Sequence, residues 1–355
     1  MRVLAITNMY PHAGQPTHGV FVEQQVLGLR RIGLDVDVLF IDRVARGMRA
    51  YFEMNPAIDR ALRLPVDVVH IMYGGVMAER LLRRAWTQPT VVTFHGSDVL
   101  GEHLSGLRRR IAAQVGVLAS QRAAARATGV VAVSRVVAAA LPPSISASKV
   151  RIIPCGIDLD RFVPMDRAAC QRQLGWNPRQ FHVLFPANSG DPVKRPALAA
   201  AAVEHLIASG VPAALHHLAG IPNDGVPTWV NASDVLLLTS LHEGSPTVVK
   251  EALACNVPVV SVDVGDVAER TSGIAGCHLA APTPADLANK LARVARNREP
   301  VDSRSHMASL SHLVVAGQLA DLYAELIAGV AAHRGAADGP ASSSEHEVDH
   351  QRPMV

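Results

Sequence analysis

Residues 234–261, DVLLLTSLHEGSPTVVKEALACNVPVVS, give the clearest indication of the fold. It begins with an apolar segment typical of a buried strand, passes through a short polar loop at Glu243, and continues into a helical pattern that contains Glu251. A second apolar segment, residues 257–261, follows. This order predicts one strand–helix–strand unit of a parallel α/β sheet. Because ligands bind outside the carboxyl ends of such strands, we expect Glu243 at a binding site.

The residues between the two glutamates predict how the helix starts. Ser245 is a natural N-cap and Pro246 a natural first helical residue. Glu251 then lies inside the helix, about two turns from its start at ~1.5 Å per residue, and Asn256 is expected to end the helix in a left-handed conformation. One carboxylate therefore stands at the strand tip and another along the helix, and the helix N–H groups between them suit a phosphate.

This arrangement resembles the Glu-x7-Glu motif of retaining glycosyltransferases with the GT-B fold, in particular glycosyltransferase family 4. The flanking segments that strengthen the resemblance are Ala232-Ser233-Asp234, Glu251-Ala252-Leu253-Ala254-Cys255 and Pro258-Val259-Val260. The resemblance covers residues 1–328, most specifically residues 226–270. It implies an α/β protein of GT-B type, in which two Rossmann-like domains with parallel sheets face a central cleft.

Strand and helix patterns alternate through both halves of the 355-residue chain, which is long enough for two domains. We predict an N-terminal, acceptor-side domain of residues 1–165 and a C-terminal, donor-side domain of residues 166–330. The last helix is predicted over residues 306–328, and the resemblance implies that it crosses back onto the first domain. Residues 333–355 are rich in Gly, Ala, Ser, Glu, His and Pro and predict a disordered tail.

Composition limits the classes of function. Hydrophobic residues make up 49% of the chain and the formal net charge is +3, which is too mild to indicate nucleic acid binding. No uninterrupted apolar run reaches ~18 residues, and the first residues do not resemble a signal peptide. We therefore expect a cytoplasmic protein, and its mild positive charge is compatible with peripheral contact at the inner face of the membrane. The arginine-rich residues 108–110 either attract a phosphorylated or lipid-linked acceptor or form a solvated helix face.

Cysteine and histidine spacing gives no sign of a metal site. The four cysteines form no Cys-x-x-Cys pair, and we expect them to be reduced, mostly buried thiols. They are Cys155, Cys170, Cys255 and Cys277. No histidine has the spacing of metal ligands on a helix, so we expect neither a metal nor a cofactor.

Phe94-His95-Gly96-Ser97-Asp98 directly follows a predicted strand. His95 is therefore expected at a strand end that faces the cleft, and Gly96 lets the backbone turn sharply or approach a ligand closely. The resemblance implies that His95 lines the donor-sugar pocket, with its side chain near a sugar hydroxyl and its carbonyl facing the anomeric centre. Asp98 is assigned to the acceptor side, with a helix cap as its alternative role.

The resemblance implies that the second domain supplies most of the donor site. Lys194, beside a predicted helix start, would neutralise a diphosphate. Glu251 would accept hydrogen bonds from ribose hydroxyls, and Glu243 would hold the hydroxyls of the sugar. The other residues predicted to bind the donor are Gly19, Gly244, Ser245, Pro246 and Thr247.

The chain departs from the family pattern at several places, which include Pro246, since it has no N–H to donate, and the loop after the first strand, where only Gly19 matches the family's glycine pair. The arginine that the family usually places in a Gly-Arg-Leu segment is absent, and either Arg195 replaces it or Asn188 and Ser189 contact the phosphate. Cys155 stands where the family commonly has asparagine, in a segment expected to position the linker between the domains. Residues 219–225 are shorter than the corresponding segment of many members, so the wall that binds the base is expected to be simpler.

These features predict a retaining, metal-independent glycosyltransferase. It would move a hexose-type sugar from a nucleotide diphosphate sugar to a hydroxyl of a glycan or lipid-linked acceptor, in polysaccharide or cell-envelope glycan biosynthesis. Glu243 and His95 would act as positioning and electrostatic groups. The alternatives are a sugar-nucleotide epimerase on the same fold and a non-catalytic nucleotide-sugar or glycan-binding protein. The absent arginine favours the binding protein, whereas the intact Glu243, Glu251, Lys194 and His95 favour the enzyme.

Overall fold

The computed structural model describes residues 1–101, 106–187, 190–297 and 301–337, without the side chains of residues 48, 109 and 333–337. The described chain forms two α/β domains, each built around one parallel sheet. The strands inside each sheet consist of short, largely apolar runs that are buried on both faces, as expected when helices cover both sides of a parallel sheet, whereas the strands at the sheet edges are partly exposed.

The first domain contains a six-stranded sheet. Its strands are β1 (Arg2–Thr7), β2 (Asp35–Phe40), β3 (Val68–Ile71), β4 (Thr90–Phe94), β5 (Gly129–Ala132) and β6 (Val150–Ile152). They lie in the order β2-β1-β3-β4-β5-β6, and all neighbours are parallel. The chain reverses its direction across the sheet between β1 and β3. This reversal opens a crevice at the carboxyl ends of those two strands.

Seven helices accompany the first sheet in the described residues. They are α1 (Val20–Arg31), α2 (Arg43–Arg46), α3 (Ala50–Ala61), α4 (Gly75–Leu81), α5 (Ser97–Leu100), α6 (Leu107–Arg126) and α7 (Arg135–Ala139). The helix α7 starts after Ser134, a residue type that favours the cap position: its hydroxyl accepts a hydrogen bond from the Val137 N–H at 3.3 Å and so satisfies one of the free donors of the first turn.

The second domain contains a five-stranded sheet in the order β11-β10-β9-β7-β8. Its strands are β7 (Phe181–Phe185), β8 (Ala213–His217), β9 (Val235–Leu238), β10 (Val259–Val262) and β11 (His278–Ala280). Its helices are α8 (Arg167–Leu174), α9 (Pro196–Ala208), α10 (Val226–Ala232), α11 (Thr247–Ala254), α12 (Val267–Thr271) and α13 (Pro284–Arg296). Helices α9 and α13 cover one face, and α10 and α11 cover the other. The chain reverses between β7 and β9, so the crevice of this domain lies there.

The last helix differs from its prediction over residues 306–328. The chain forms a 3-10 turn over Ser305–Leu310 and then the helix α14 (His312–Ala337). Residues 333–337, which belong to the predicted disordered tail 333–355, thus continue this helix, whereas residues 338–355 lie outside the described residues. The predicted second domain, residues 166–330, included most of α14, but the helix packs on the first domain.

The contacts of α14 explain its apolar composition. The segment His312–Ala332 has the length and mean hydropathy of a membrane span. Its Leu319 and Tyr323 are fully buried against the first sheet and α1. The Tyr323 hydroxyl and the Thr93 hydroxyl each lie 2.6 Å from a ring nitrogen of the buried His70. The helix therefore ties the end of the chain to the first domain.

Candidate active site

A cavity of about 640 Å³ lies between the two domains. Its walls include Thr17, Phe21 and His95 from the first domain and Lys194, Glu243 and Glu251 from the second. The second-domain wall lies at the carboxyl ends of β7 and β9, where the strand order reverses. The fold thus brings the charged residues predicted from three separate segments of the sequence to one site, which we call the cleft cavity.

Lys194 and Glu243 form a charged pair in the crevice of the second domain. Lys194 Nζ donates a hydrogen bond to Glu243 Oε1 at 2.5 Å, and Ser240 Oγ donates to the same oxygen at 2.6 Å. The lysine side chain is 25% exposed and the glutamate side chain 13%, so solvent screens their attraction less than it screens a surface pair. An anion that enters the crevice must therefore compete with Glu243 for the lysine ammonium.

The loop that carries Glu243 touches the first domain at His95 and Gly96. A Cβ built on Gly244 would lie 1.7 Å from the carbonyl oxygen of His95, and a Cβ on Gly96 would lie 2.9 Å from the Gly244 nitrogen. Gly96 also has a φ of 134°, in the region that favours glycine. Two glycines on opposite domains therefore permit a close approach of the two backbones across the cleft.

The start of α11 differs from the prediction at two residues. Ser245 does not cap the helix, because its hydroxyl donates instead to Asp266 Oδ2 at 2.8 Å. Pro246 takes the cap position and is not the first helical residue, which is Thr247. The partner of Ser245 lies in a neighbouring loop, 21 residues later in the chain. Capping preferences describe only residues near a helix start, so they cannot predict such a distant partner. Residues 245–248 nevertheless line the cleft cavity, so the start of α11 faces it.

Glu251 lies about one turn inside α11, closer to the helix start than the two turns predicted, and lines the cleft cavity. Burial raises the pKa of its carboxyl to about 7, against the opposing effects of the positive charges of Arg161 and Lys250. A carboxyl with this pKa is about half ionised at neutral pH. Glu251 can therefore accept hydrogen bonds from a ligand in its ionised form, and a ligand that donates such bonds favours that form.

The ring nitrogens of His95 are both engaged by the protein. Nε2 lies 3.1 Å from the carbonyl oxygen of Met72, and Nδ1 lies 3.6 Å from Cys155 Sγ. A carbonyl only accepts hydrogen bonds, so Nε2 carries the proton. Burial lowers the His95 pKa to about 4, so the ring is neutral at pH 7 and Nδ1 accepts from the Cys155 thiol. His95 therefore meets the opposite domain with its backbone carbonyl.

Asp98 holds the loop that carries His95. Its carboxylate accepts hydrogen bonds from the backbone N–H groups of Gly74, His95 and Gly96 at 2.9 to 3.2 Å. Burial raises its pKa to about 6, although these bonds favour the ionised form. Asp98 lies within the first turn of α5, whose cap position is Gly96. Its observed bonds therefore set the shape of the loop.

Comparison with known proteins gives the identity of this two-domain site. The family model for Glycosyltransferase Family 4 matches residues 17–161, and the model for Glycosyl transferases group 1 matches residues 189–297. Between them the two models contain both walls of the cleft cavity. The chain belongs to glycosyltransferase family 4. The resemblance that the sequence motifs predicted is thereby confirmed.

Individual relatives of this glycosyltransferase agree with the assignment. One relative is the Bacillus subtilis protein TuaC, whose name describes a teichuronic acid biosynthesis glycosyltransferase. It is 26% identical to this chain over 331 residues, and the match covers 75% of this chain and 82% of TuaC. The sucrose-phosphate synthase structure from Thermosynechococcus elongatus has a TM-score of 0.75 at 18% identity, covering 93% of this chain and 100% of its own. The Anabaena HepE structure in complex with UDP has a TM-score of 0.67 at 16% identity, with 92% and 100% coverage. These two structures confirm the predicted GT-B fold.

Gly19 and Arg195, two further candidates for the donor site, make contacts within the protein itself. Gly19 starts α1 with a φ of 69°, and a Cβ there would lie 2.2 Å from the carbonyl carbon of Met9. Arg195 does not replace the family's arginine, because its guanidinium donates to the backbone carbonyls of Thr239 and Ser240 at 2.5 and 3.1 Å. The other alternative for that arginine, Asn188 and Ser189, lies outside the described residues.

A second cavity of about 450 Å³, the first-domain cavity, lies at the carboxyl ends of β1 and β3. Its polar lining includes Asn8, Arg43, Tyr51 and Ser97. The Asn8 amide nitrogen lies 3.4 Å from the Tyr51 hydroxyl, whereas its buried Oδ1 has no partner among the described residues. Sequence reasoning missed this cavity, although Asn8 directly follows the first strand and the strand-end rule would have found it.

Proposed function

We propose that this glycosyltransferase moves a sugar from a nucleoside diphosphate sugar to an acceptor hydroxyl with retention of the anomeric configuration. The observation that carries the proposal is the placement of Lys194, Glu243 and Glu251 around one cleft cavity at the strand reversal of the second domain. A cation in the crevice suits a diphosphate. The two carboxylates suit the hydroxyl groups of a ribose and a sugar, because an ionised carboxylate is an acceptor only.

In the proposed complex the donor lies along the start of α11. Glu251 accepts from the ribose hydroxyls, and Lys194 together with the helix start holds the diphosphate. Pro246 has no N–H to contribute, so Thr247 and the residues after it supply the helix donors. UDP is the first nucleotide to test, because the HepE structure of the same fold was solved with UDP.

The sugar lies between Glu243 and the backbone carbonyl of His95. A diphosphate that binds Lys194 takes over its ammonium and frees Glu243 to accept from sugar hydroxyls, with Gly244 and Ser245 beside it. The carbonyl of His95 points at this loop from the other domain. Its negative end faces the carbon on which positive charge develops as the leaving group departs, so it stabilises the transition state.

The reaction takes place on one face of the sugar. The acceptor oxygen forms a bond to the anomeric carbon as the bond from that carbon to the diphosphate breaks, and the acceptor proton passes to the departing phosphate oxygen. Lys194 and the start of α11 stabilise the negative charge that grows on the diphosphate. In this proposal the protein's own cation fills the role that a metal ion has in other transferases, and neither Glu243 nor His95 acts as a nucleophile.

We place the acceptor in the first-domain cavity. That cavity occupies the strand reversal of its own sheet, as the donor crevice does in the other domain. Its hydroxyl, amide and guanidinium groups suit a polyhydroxylated acceptor, such as a glycan or a lipid-linked sugar. A role in polysaccharide or cell-envelope glycan biosynthesis is supported by the name of TuaC.

We further propose that the enzyme works in the cytoplasm against the inner face of the membrane, through helix α6. Its exposed apolar residues recur at helical spacing and are Leu107, Ile111, Val115 and Leu118. Arg108 and Arg110 are exposed beside them, and the helix contains no acidic residue. An apolar stripe flanked by cations suits an anionic bilayer surface. The opposite side of α6 lines the first-domain cavity, so docking would bring a lipid-linked acceptor to its binding site.

Release of nucleoside diphosphate from UDP-, GDP- and ADP-sugars tests the donor proposal. Wild type should turn over one donor, and Glu251→Ala and Lys194→Ala should both lose that turnover. Arg172→Ala, an exposed residue of α8, is the control and should behave as wild type. If no donor binds, or if both site variants match wild type, the assignment fails and a binding protein becomes the better explanation.

Co-sedimentation with vesicles tests the membrane proposal separately. Wild type should pellet with anionic vesicles and remain in solution with neutral ones. Ile111→Asp combined with Val115→Asp should abolish pelleting and leave donor turnover unchanged, because the stripe lies outside the cleft cavity. Equal behaviour of wild type with anionic and neutral vesicles would contradict this part of the proposal.

A further inference from the structure

Arg161 lies at the inner end of the cleft, in the segment that leads into the second domain. It lines a narrow pocket of about 40 Å³ together with Glu251, Thr247 and Phe21. The last three residues also line the cleft cavity, so the pocket adjoins it. A space of this size holds about one water-sized group. It therefore accommodates the edge of a ligand that occupies the larger cavity, but not a separate ligand.

The guanidinium of Arg161 has a donor without a partner. Its Nη2 is buried and forms no hydrogen bond in the part of the chain that the structure describes. The residue is nonetheless held in place, because its backbone N–H donates to Asp158 Oδ1 at 3.1 Å and its guanidinium lies 5.4 Å from the centre of the Phe162 ring. Buried polar groups almost always have partners. A fixed, unpaired donor in a ligand cavity therefore points to the ligand as its partner.

Glu251 determines what kind of group can fill this space. Nη2 makes no bond to the Glu251 carboxylate, although the charge of Arg161 lowers the Glu251 pKa. A group near both side chains must accept a hydrogen bond from the guanidinium and donate one to the carboxylate. A hydroxyl does both. A phosphate only accepts, and the neighbouring carboxylate would repel it, so the diphosphate is better placed at Lys194.

We propose that Arg161 is a second ribose ligand, which donates from Nη2 to the 2′-hydroxyl while Glu251 accepts from the ribose diol, and that it makes the enzyme select ribonucleotide over 2′-deoxyribonucleotide donors. This inference rests on the proposed nucleotide site. It assigns specificity for the ribose to a residue outside the Glu-x7-Glu segment. A nucleotide without the 2′-hydroxyl leaves both the guanidinium nitrogen and part of the carboxylate without a partner, and such losses are costly in a buried site.

Calorimetric binding of UDP, GDP and ADP and of their 2′-deoxy counterparts tests the proposal. Wild type should bind the preferred ribonucleotide at least about tenfold more tightly than its deoxy form, as expected for a hydrogen bond to a charged group. Arg161→Met should reduce this ratio to about threefold or less, mainly by weakening the ribonucleotide. Arg172→Met, which removes an exposed arginine, should keep the wild-type ratio.

Each outcome separates this inference from the proposed function. If wild type binds a ribonucleotide but does not discriminate against the deoxy form, the inference fails and the donor site stands. An unchanged ratio in Arg161→Met overturns it in the same way. If wild type binds no nucleotide, both proposals fail. Should Arg161→Met not fold, Arg161→Lys takes its place, because it keeps the cation but loses the planar fork; it should also lower the ratio, and an unchanged ratio in this variant overturns the inference.

Discussion

Replacing Gly244 with alanine adds one methyl group at a close contact between the two domains. The added Cβ would lie 1.7 Å from the His95 carbonyl oxygen and 2.6 Å from its carbonyl carbon. Because an ordinary contact between such atoms is about 3.5 Å, the two loops must separate by roughly 1.5 Å or more. Gly244 does not have a positive φ, so the expected effect arises from the contact and not from backbone strain.

The separation should act on the chemical step more than on donor binding. Lys194 and Glu251 both belong to the second domain and move together with the bound nucleotide, whereas the His95 carbonyl stays with the first. A displacement of about 1 Å at a reacting centre costs roughly a hundredfold in rate. We therefore expect kcat to fall about a hundredfold, while the KM for the donor changes by less than about tenfold.

Steady-state release of nucleoside diphosphate gives both constants, and calorimetric melting gives the stability. The melting temperature of Gly244→Ala should stay close to that of wild type, because the domains can separate without unfolding. Gly317→Ala is the matched control, since a Cβ there meets no atom within 4 Å. If Gly244→Ala keeps a kcat within about threefold of wild type, the close approach of His95 and Gly244 is not the reactive geometry.

Four other substitutions give separate tests of the site and the fold. Lys194→Met should lower the kcat/KM for the donor by roughly a hundredfold or more, as measured by diphosphate release. Arg195→Met should instead lower the melting temperature and leave donor affinity unchanged, because Arg195 donates to backbone carbonyls. UDP affinity measured by calorimetry should rise about tenfold from pH 6 to pH 8 as Glu251, with a pKa raised to about 7, ionises, and Glu251→Gln should remove this dependence. Burial lowers the His70 pKa to about 3, below its unfolded value of about 6.5, so its stabilisation is complete above pH 6.5 and falls by about 1.4 kcal/mol per pH unit as the pH drops towards 3. His70→Gln should make denaturant unfolding less dependent on pH in that range.

Local sequence patterns were sufficient to predict the order of strands and helices and the residues that lie at strand ends. Apolar runs of strand length predicted β9 and β10, and these runs placed Glu243 in the loop between them. Asn256 ends α11 with a φ of 57°, as its residue type predicted. Such features depend on a few neighbouring residues, so they can be inferred from a single sequence.

Partners from distant segments could not be inferred in this way. Serine has a strong preference for helix caps, but the Ser245 hydroxyl donates a hydrogen bond to Asp266 on another loop. From the sequence, Arg195 stands beside a predicted helix start with no evident partner. In the structure its guanidinium donates to two backbone carbonyls directly after β9. In each case a partner brought near by packing outweighs the local preference of the residue.

The sequence by itself determined the repeating strand–helix order, the family, and the set of charged residues that surround the cleft, because hydrophobic period and strand-end position are local properties of the chain. The folded structure alone shows that Ser245 hydrogen-bonds to Asp266, that the Met72 carbonyl sets the proton position of His95, and that Arg161 and Glu251 line one pocket. These relations join residues that are far apart in the chain and that meet only when the chain folds. The geometry of these contacts depends on the angles at which helices and strands cross and on shifts in position of about 1 Å. No sequence pattern specifies either quantity.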